Sequence, residues 1–68
     1  MEKEYITLQQ FLKIADIIST GGQAKAFLQE NDVYVNDEEE KRRGRKLYSG
    51  DIVKINDREF KISWLLMN

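Results

Sequence analysis

Residues 41–46, Lys-Arg-Arg-Gly-Arg-Lys, place five cations in six positions, directly after the acids Asp37, Glu38, Glu39 and Glu40. The whole chain carries 11 basic and 12 acidic residues, so its formal charge is only −1. Nearly half of the positive charge therefore sits in one short segment. Like charges this dense repel one another unless an anion neutralises them. Two readings follow. The acids could pair with the bases across a hairpin and do nothing more, each surface ion pair contributing only about 0–1 kcal/mol. Alternatively, the segment holds a polyanion. The planar guanidinium forks of Arg42, Arg43 and Arg45 match phosphate, Lys46 adds charge, and Gly44 lets the backbone come close to a ligand.

A second candidate is the stretch Ser19 to Lys25, STGGQAK. Gly21 and Gly22 would occupy the first turn of a helix, where unpaired amides and the helix dipole favour an anion. Lys25 would project one turn further on. Taken alone, the two glycines serve equally well as a tight turn between helices. Lys13 and Lys25, on the polar faces of their helices, are by themselves ordinary solubilising residues. Tyr34 and Tyr48 flank the polar segments and could stack on a base, although packing is the commoner role for tyrosine. The acidic run lacks the spacing of a calcium loop, and no metal or cofactor is expected.

The composition excludes several classes of function. There is no cysteine and no histidine, so neither a Ser-His nor a Cys-His nucleophilic site can be assembled within the chain. Carboxylate pairs exist, but 68 residues leave little room for a deep cleft, and an enzyme is not expected. One domain over residues 1–68 is the simplest organisation. The longest apolar runs are a few residues, too short to span a membrane, and the start MEKEYITL contains no signal-peptide core. The missing cysteines fit a cytoplasmic location. Trp64 to Met67 form a continuous apolar run. It reads as a final strand covering the sheet. The alternative is a docking tail, which would make the chain a protein-interaction adaptor.

The elements that position these residues can be read from periodicity. Residues 4–7 suit a short strand. Leu8, Phe11, Leu12 and Ala15 then fall at i, i+3, i+4 and i+7, one face of a helix. Thr7 and Gln10 form a capping-box pattern, so that helix should begin at Leu8. Thr20 and Gln23 repeat the pattern before a second helix over about residues 21–30, which buries Ala24, Phe27 and Leu28. Asn31 is a candidate left-handed terminator. The period then changes to two. Val33 and Val35 share a strand face, and Asn36-Asp37 should turn the chain. Gly50-Asp51 marks another turn. Residues 52–55 and 58–64 read as a hairpin, with Val53 and Ile55 opposed to Phe60, Ile62 and Trp64. The predicted class is α+β, two helices packed against a small, mainly antiparallel sheet.

Residues 7–55, most of the chain, resemble the S-four RNA-binding domain, also called the alpha-L RNA-binding motif. The telling pieces are QAKAFLQENDVYVN and the RRGRKLYSGD that leads into IVKI. The small free-standing bacterial members are most similar, with a paired glycine before Ala-Lys and an RRGRK segment. The resemblance implies non-catalytic binding of structured RNA, ribosomal or transfer, in ribosome assembly or quality control. The implied partners are that RNA and the ribosome or a pre-ribosomal particle, with no membrane and with the chain as a monomer. Carried over, the phosphate-facing positions are Lys25, Arg42, Arg43, Arg45 and Lys46, with the Gly21 and Gly22 amides; Lys13 joins them from the first helix. Three departures stand out. Thr7 and Gln9 replace the arginine and aspartate common at the first helix, Gly21 replaces an arginine near the second, and Asp37 stands where glycine is usual. These shift weight from the helix face to the loop.

Overall fold

The computed structural model describes residues 4–63. In chain order the elements are β1 (Tyr5–Thr7), α1 (Leu8–Ile14), α2 (Gly22–Glu30), β2 (Val33–Val35), β3 (Glu38–Glu39), β4 (Lys46–Tyr48), β5 (Ile52–Ile55) and β6 (Arg58–Lys61). Every strand pairing is antiparallel. Strands β3-β2-β5-β6 form one sheet, and β1 pairs with β4 in a separate ribbon. The α+β arrangement expected from the sequence is the one observed.

Helix α1 starts where expected. The Thr7 hydroxyl accepts from the Gln10 backbone amide at 3.2 Å, and Gln10 Oε1 accepts from the Thr7 amide at 2.8 Å. It ends after only two turns. Asp16 takes a left-handed conformation at φ 61°, and the Ile17 amide donates to the Leu12 carbonyl at 2.9 Å while the Asp16 amide donates to Lys13 at 3.0 Å. That pair of bonds is a Schellman closure with aspartate in the position that favours glycine. It folds Ile17 back against the core.

Helix α2 departs from expectation at both ends. Thr20 is not its cap: Gly21 holds that position and no side chain accepts from the first turn. Half of the box survives, because Gln23 Oε1 accepts from the Ser19 and Thr20 amides at 2.6 and 3.0 Å. Asn31 is extended rather than left-handed, at φ −126°. It closes the helix through its side chain instead, with Nδ2 donating to the Phe27 carbonyl at 2.9 Å.

The left-handed positions go to turns. Asn36 and Asp37 have φ of 52° and 69°, and Val35 pairs with Glu38, so two left-handed residues close the β2–β3 hairpin. Such a turn matches the natural strand twist, and asparagine and aspartate tolerate it best after glycine. This accounts for Asp37 in a place where glycine is usual. Asn36 also stitches this turn to the next one: its Nδ2 donates to Asp51 Oδ1 at 3.2 Å, and its Oδ1 accepts from the Ile52 amide at 3.0 Å. Asp51 Oδ2 in turn accepts from the Tyr48 amide at 2.8 Å.

The core joins both helices to both sheets. Leu8, Phe11, Leu12, Ile18, Ala24 and Leu28 meet Val33, Val35, Leu47, Val53, Ile55 and Ile62, with Phe27 and Phe60 packed against them. The expected helix faces are the buried ones, and Phe11 meets Phe60 edge-on with centroids 5.5 Å apart. The β5–β6 hairpin pairs Val53 with Phe60 as expected, while Ile55 faces Arg58. Trp64 and the remainder of the apolar run to Met67 lie outside the described residues. Among the described residues, no helix is long and apolar enough to cross a membrane.

Asp16 is left-handed, which costs an L-residue roughly 1 kcal/mol, and its carboxylate stands at the negative end of α1. Asp16→Gly is expected to raise the thermal midpoint by about 4–8 °C, as roughly 1 kcal/mol does in a domain this small. Differential scanning calorimetry measures it; a fall in the midpoint contradicts the assignment of Asp16 as the strained closing residue.

Candidate nucleic-acid interface

The basic segment lies between β3 and β4 and is not one arm of a hairpin. Strand β3, carrying Glu38 and Glu39, pairs with β2, whereas β4 pairs with β1. The loop between them is held on the first turn of α1. The Leu8 amide donates to the Arg45 carbonyl at 2.8 Å, and the Gln9 amide donates to the Arg43 carbonyl at 2.9 Å. Amides at a helix start have no partner within the helix, so the loop supplies acceptors that would otherwise have to come from water. The loop carbonyls thus face the helix, while Arg42 and Arg43 stand exposed.

The acidic run divides by position. Glu38 and Glu39 are exposed, and Glu39 lies 3.8 Å from Lys41 Nζ. Glu40 is buried at 5% exposure, and its amide donates to the Val33 carbonyl at 2.9 Å, continuing the β2 ladder by one residue. Its carboxylate holds the loop together. Arg42 donates from Nε to Oε2 at 2.9 Å and from Nη2 to Oε1 at 3.1 Å, and the Arg42 amide donates to Oε2 at 3.0 Å. Arg45 Nη1 donates to Oε1 at 3.2 Å. Arg42 is the main cause of a Glu40 carboxyl pKa lowered to about 2; burial works against it, and Arg45 adds to the lowering. The Arg42 guanidinium is correspondingly held above its ordinary value by Glu40.

One carboxylate between two guanidiniums leaves a net positive cluster. The Arg42 side chain remains 77% exposed despite its bidentate bond. Arg45 is 28% exposed and also donates from Nε to the Lys46 carbonyl at 3.3 Å. The Arg43 side chain makes no hydrogen bond or ion pair among the described residues. An open groove of about 590 Å³ runs beside them, lined by Arg42, Gly44, Arg45, Lys46, Tyr48 and Asp51. A side chain added at Gly44 would meet only open space, so the backbone there is accessible. Lys41 is the exception among the five cations. Its Nζ donates to the Leu28 carbonyl at 2.9 Å, where it serves the C-terminal end of α2.

The glycine pair is brought to the same place. A Cβ at Gly21 would collide with the end of the Gln9 side chain, and Gln9 is the residue that carries the Arg43 carbonyl. Two of the departures from the family pattern, Gln9 and Gly21, therefore touch each other. The space around Gly22 is looser, with Thr20 Oγ1 at 3.9 Å from an added Cβ as the nearest contact. Lys25, within α2, and Lys13, in the last turn of α1, are exposed. The structure therefore unites Arg42, Arg45 and Lys46 around the groove, leaves Arg43 exposed on the same loop, and brings Gly21 to the loop through Gln9. It records no contact linking Lys13 or Lys25 to that cluster.

Two positioning roles, those of Glu40 and Gln9, carry no signal in the sequence. Glu40 was one of four consecutive acids, and only the end of the β2–β3 pairing distinguishes it. Gln9 looked like a polar-face residue of α1. The period-3.6 pattern that places it nearly half a turn from Phe11 gives no hint of the loop it supports.

The depressed Glu40 pKa has a definite sign. A carboxyl near 4.5 when unfolded and about 2 when folded adds stability that is complete above pH 4.5 and is lost as pH falls toward 2. The thermal midpoint should drop across that window. Glu40→Gln should lower the midpoint at pH 7 and flatten the drop between pH 4.5 and 2. Calorimetry at stepped pH measures both. An unchanged acid limb in the variant contradicts the clamp.

The family described as S4 domain matches residues 1–63. A Bacillus subtilis (strain 168) protein, "Probable ribosome maturation protein RlbA", is 62% identical over 55 residues, covering 81% of this chain and 78% of that one. No solved structure matches the chain significantly. On the strength of the family match across nearly its whole length and of its two-helix, antiparallel-sheet architecture, the chain belongs to the S4 domain family.

Proposed function

We propose that this chain is a non-catalytic RNA-binding protein that grips structured ribosomal RNA during ribosome maturation in the bacterial cytoplasm. The observation that carries the proposal is the arginine loop. Its backbone is tied down on α1 while Arg42 and Arg43 remain exposed beside a groove shared with Arg45 and Lys46. A loop held this way loses little additional entropy when it meets a ligand. Membership of the S4 domain family supports RNA as that ligand, and the name of the Bacillus relative supports ribosome maturation as the setting.

The mechanism follows from charge and shape. Folded RNA offers closely spaced phosphates and few accessible base edges, so shape and phosphate contacts carry recognition. Arg42 and Arg43 present forked donors to phosphate, and Lys46 adds a point charge. Glu40 limits the gain by holding part of the donor set of Arg42 and Arg45. In exchange it fixes where those guanidiniums stand. Lys25 and the amides around Gly21 and Gly22 would add separate phosphate contacts from α2. A charge's field falls off over about 8 Å in physiological salt, so the loop acts locally although the chain as a whole is nearly neutral.

If Lys25, Arg42, Arg43, Arg45 and Lys46 all contact phosphate, log K against log salt should fall with a slope of about −3.5 to −4.5. Arg42→Ala and Arg43→Ala together should flatten that slope by about 1.4–1.8, with a lowered thermal midpoint because Arg42 no longer braces Glu40. Filter binding or anisotropy with ribosomal RNA fragments measures the slope. Affinity insensitive both to salt and to the double substitution would remove the proposal. Crosslinking in cells, followed by sequencing of the bound RNA, identifies the site on the RNA.

A further inference from the structure

The β1–β4 ribbon has an outward face that the arginine loop does not account for. Register pairs Tyr5 with Tyr48, Ile6 with Leu47 and Thr7 with Lys46. Because side chains alternate along a strand, Tyr5, Thr7, Lys46 and Tyr48 share one face and Ile6 and Leu47 share the other. Leu47 is fully buried and Ile6 packs against the core, so the tyrosine face is the outer one. Tyr5 is 47% exposed, although it is one of only two large apolar side chains left open among the described residues. Its ring centroid lies 5.9 Å from that of Tyr48 at an interplanar angle of 52°. Lys46 Nζ rests 5.0 Å from the Tyr5 centroid. Lys46 and Tyr48 also line the arginine groove, so the two surfaces are continuous.

We propose that Tyr5 and Tyr48 form a stacking platform for an unpaired base of the bound RNA, placed at the end of the phosphate-gripping groove. This rests on the RNA-binding reading above and names the feature of the RNA that the site takes. A base presents a flat π-face that a tyrosine ring can receive whatever the base's identity. Lys46 covers the Tyr5 ring in the absence of RNA. Stacking of a base is the stronger contact of the two, and the displaced ammonium remains within reach of the phosphate that the same nucleotide brings. Double-stranded RNA keeps its bases stacked on each other and cannot use the platform. The site therefore favours loops, bulges or ends next to a helix whose phosphates enter the arginine groove.

The test uses the full chain and two RNAs, a stem with an unpaired loop carrying 2-aminopurine and the same stem as a blunt duplex. Wild-type protein should bind the loop RNA more tightly and quench the 2-aminopurine. Tyr5→Leu keeps an apolar side chain in the ribbon but removes the ring. It should lose about 5- to 100-fold in affinity for the loop RNA, with the duplex affinity and the salt slope unchanged. Tyr5→Phe should behave as wild type, and Tyr48→Leu gives a second, independent variant. If Tyr5 only stabilises the ribbon, as cross-strand aromatic pairs can, Tyr5→Leu will lower the thermal midpoint and affect both RNAs equally. That result, or unchanged binding to the loop RNA, overturns the platform and leaves the phosphate groove standing. Wild-type protein that binds neither RNA would overturn the RNA-binding reading itself, and the platform with it.

Discussion

The interface depends on satisfying the amides at the start of α1. A helix start exposes donors that its own backbone cannot use, and here the carbonyls of Arg43 and Arg45 accept from Gln9 and Leu8. Those two bonds turn a charged loop into part of the scaffold. They also orient it, because carbonyls that face the helix leave the exposed Arg42 and Arg43 side chains to solvent. Without them the five cations would repel one another along a flexible connection. With them the repulsion is met by a single inward carboxylate, Glu40, and by one helix end, which takes Lys41.

Glu40 shows how a buried charge can serve order as much as stability. A carboxylate sunk into this small core would be costly alone. It is tolerated because two guanidiniums and a backbone amide bond to its oxygens. The same contacts subtract from the positive field that would attract a polyanion. The protein thus trades some attraction for geometry, which is sensible if the ligand is recognised by shape. Asn36 and Asp51 complete the frame by tying together the turns on either side of the loop.

Much of this was legible in advance. The faces of both helices, the Thr7–Gln10 box, the Asn36-Asp37 turn and the pairing of Val53 with Phe60 followed from period and turn chemistry. Strands β3 and β4 did not. Glu38–Glu39 is wholly charged and Lys46–Tyr48 is only three residues long beside a cationic run, and they become strands because a two-residue turn and the docking of the loop deliver them to partners. The bounds of α2 agree with expectation, but its capping differs for a similar reason. Thr20 and Asn31 have the right chemistry for caps, but the close approach of Gln9 to Gly21 and the link from Asn56 to Asn31 decide the backbone there. Asp16 carried no signal as a helix stop, since aspartate takes the left-handed region only when its surroundings require it.

By itself, the sequence determined which residues are apolar at which spacing, and therefore the two helix faces, the β5–β6 hairpin and the presence of a dense cationic segment. Those are local properties, set by side-chain type and by the periods of helix and strand. Only the tertiary structure decided how the charge is shared out. Lys41 went to a helix end 13 residues earlier in the chain and Arg42 and Arg45 to Glu40, because the docking of the loop on α1 decides which side chains turn inward and leaves Arg43 on the exposed rim. Tyr5 was likewise just the first residue of a short strand until its pairing with Tyr48 placed two rings on one open face beside the arginine groove.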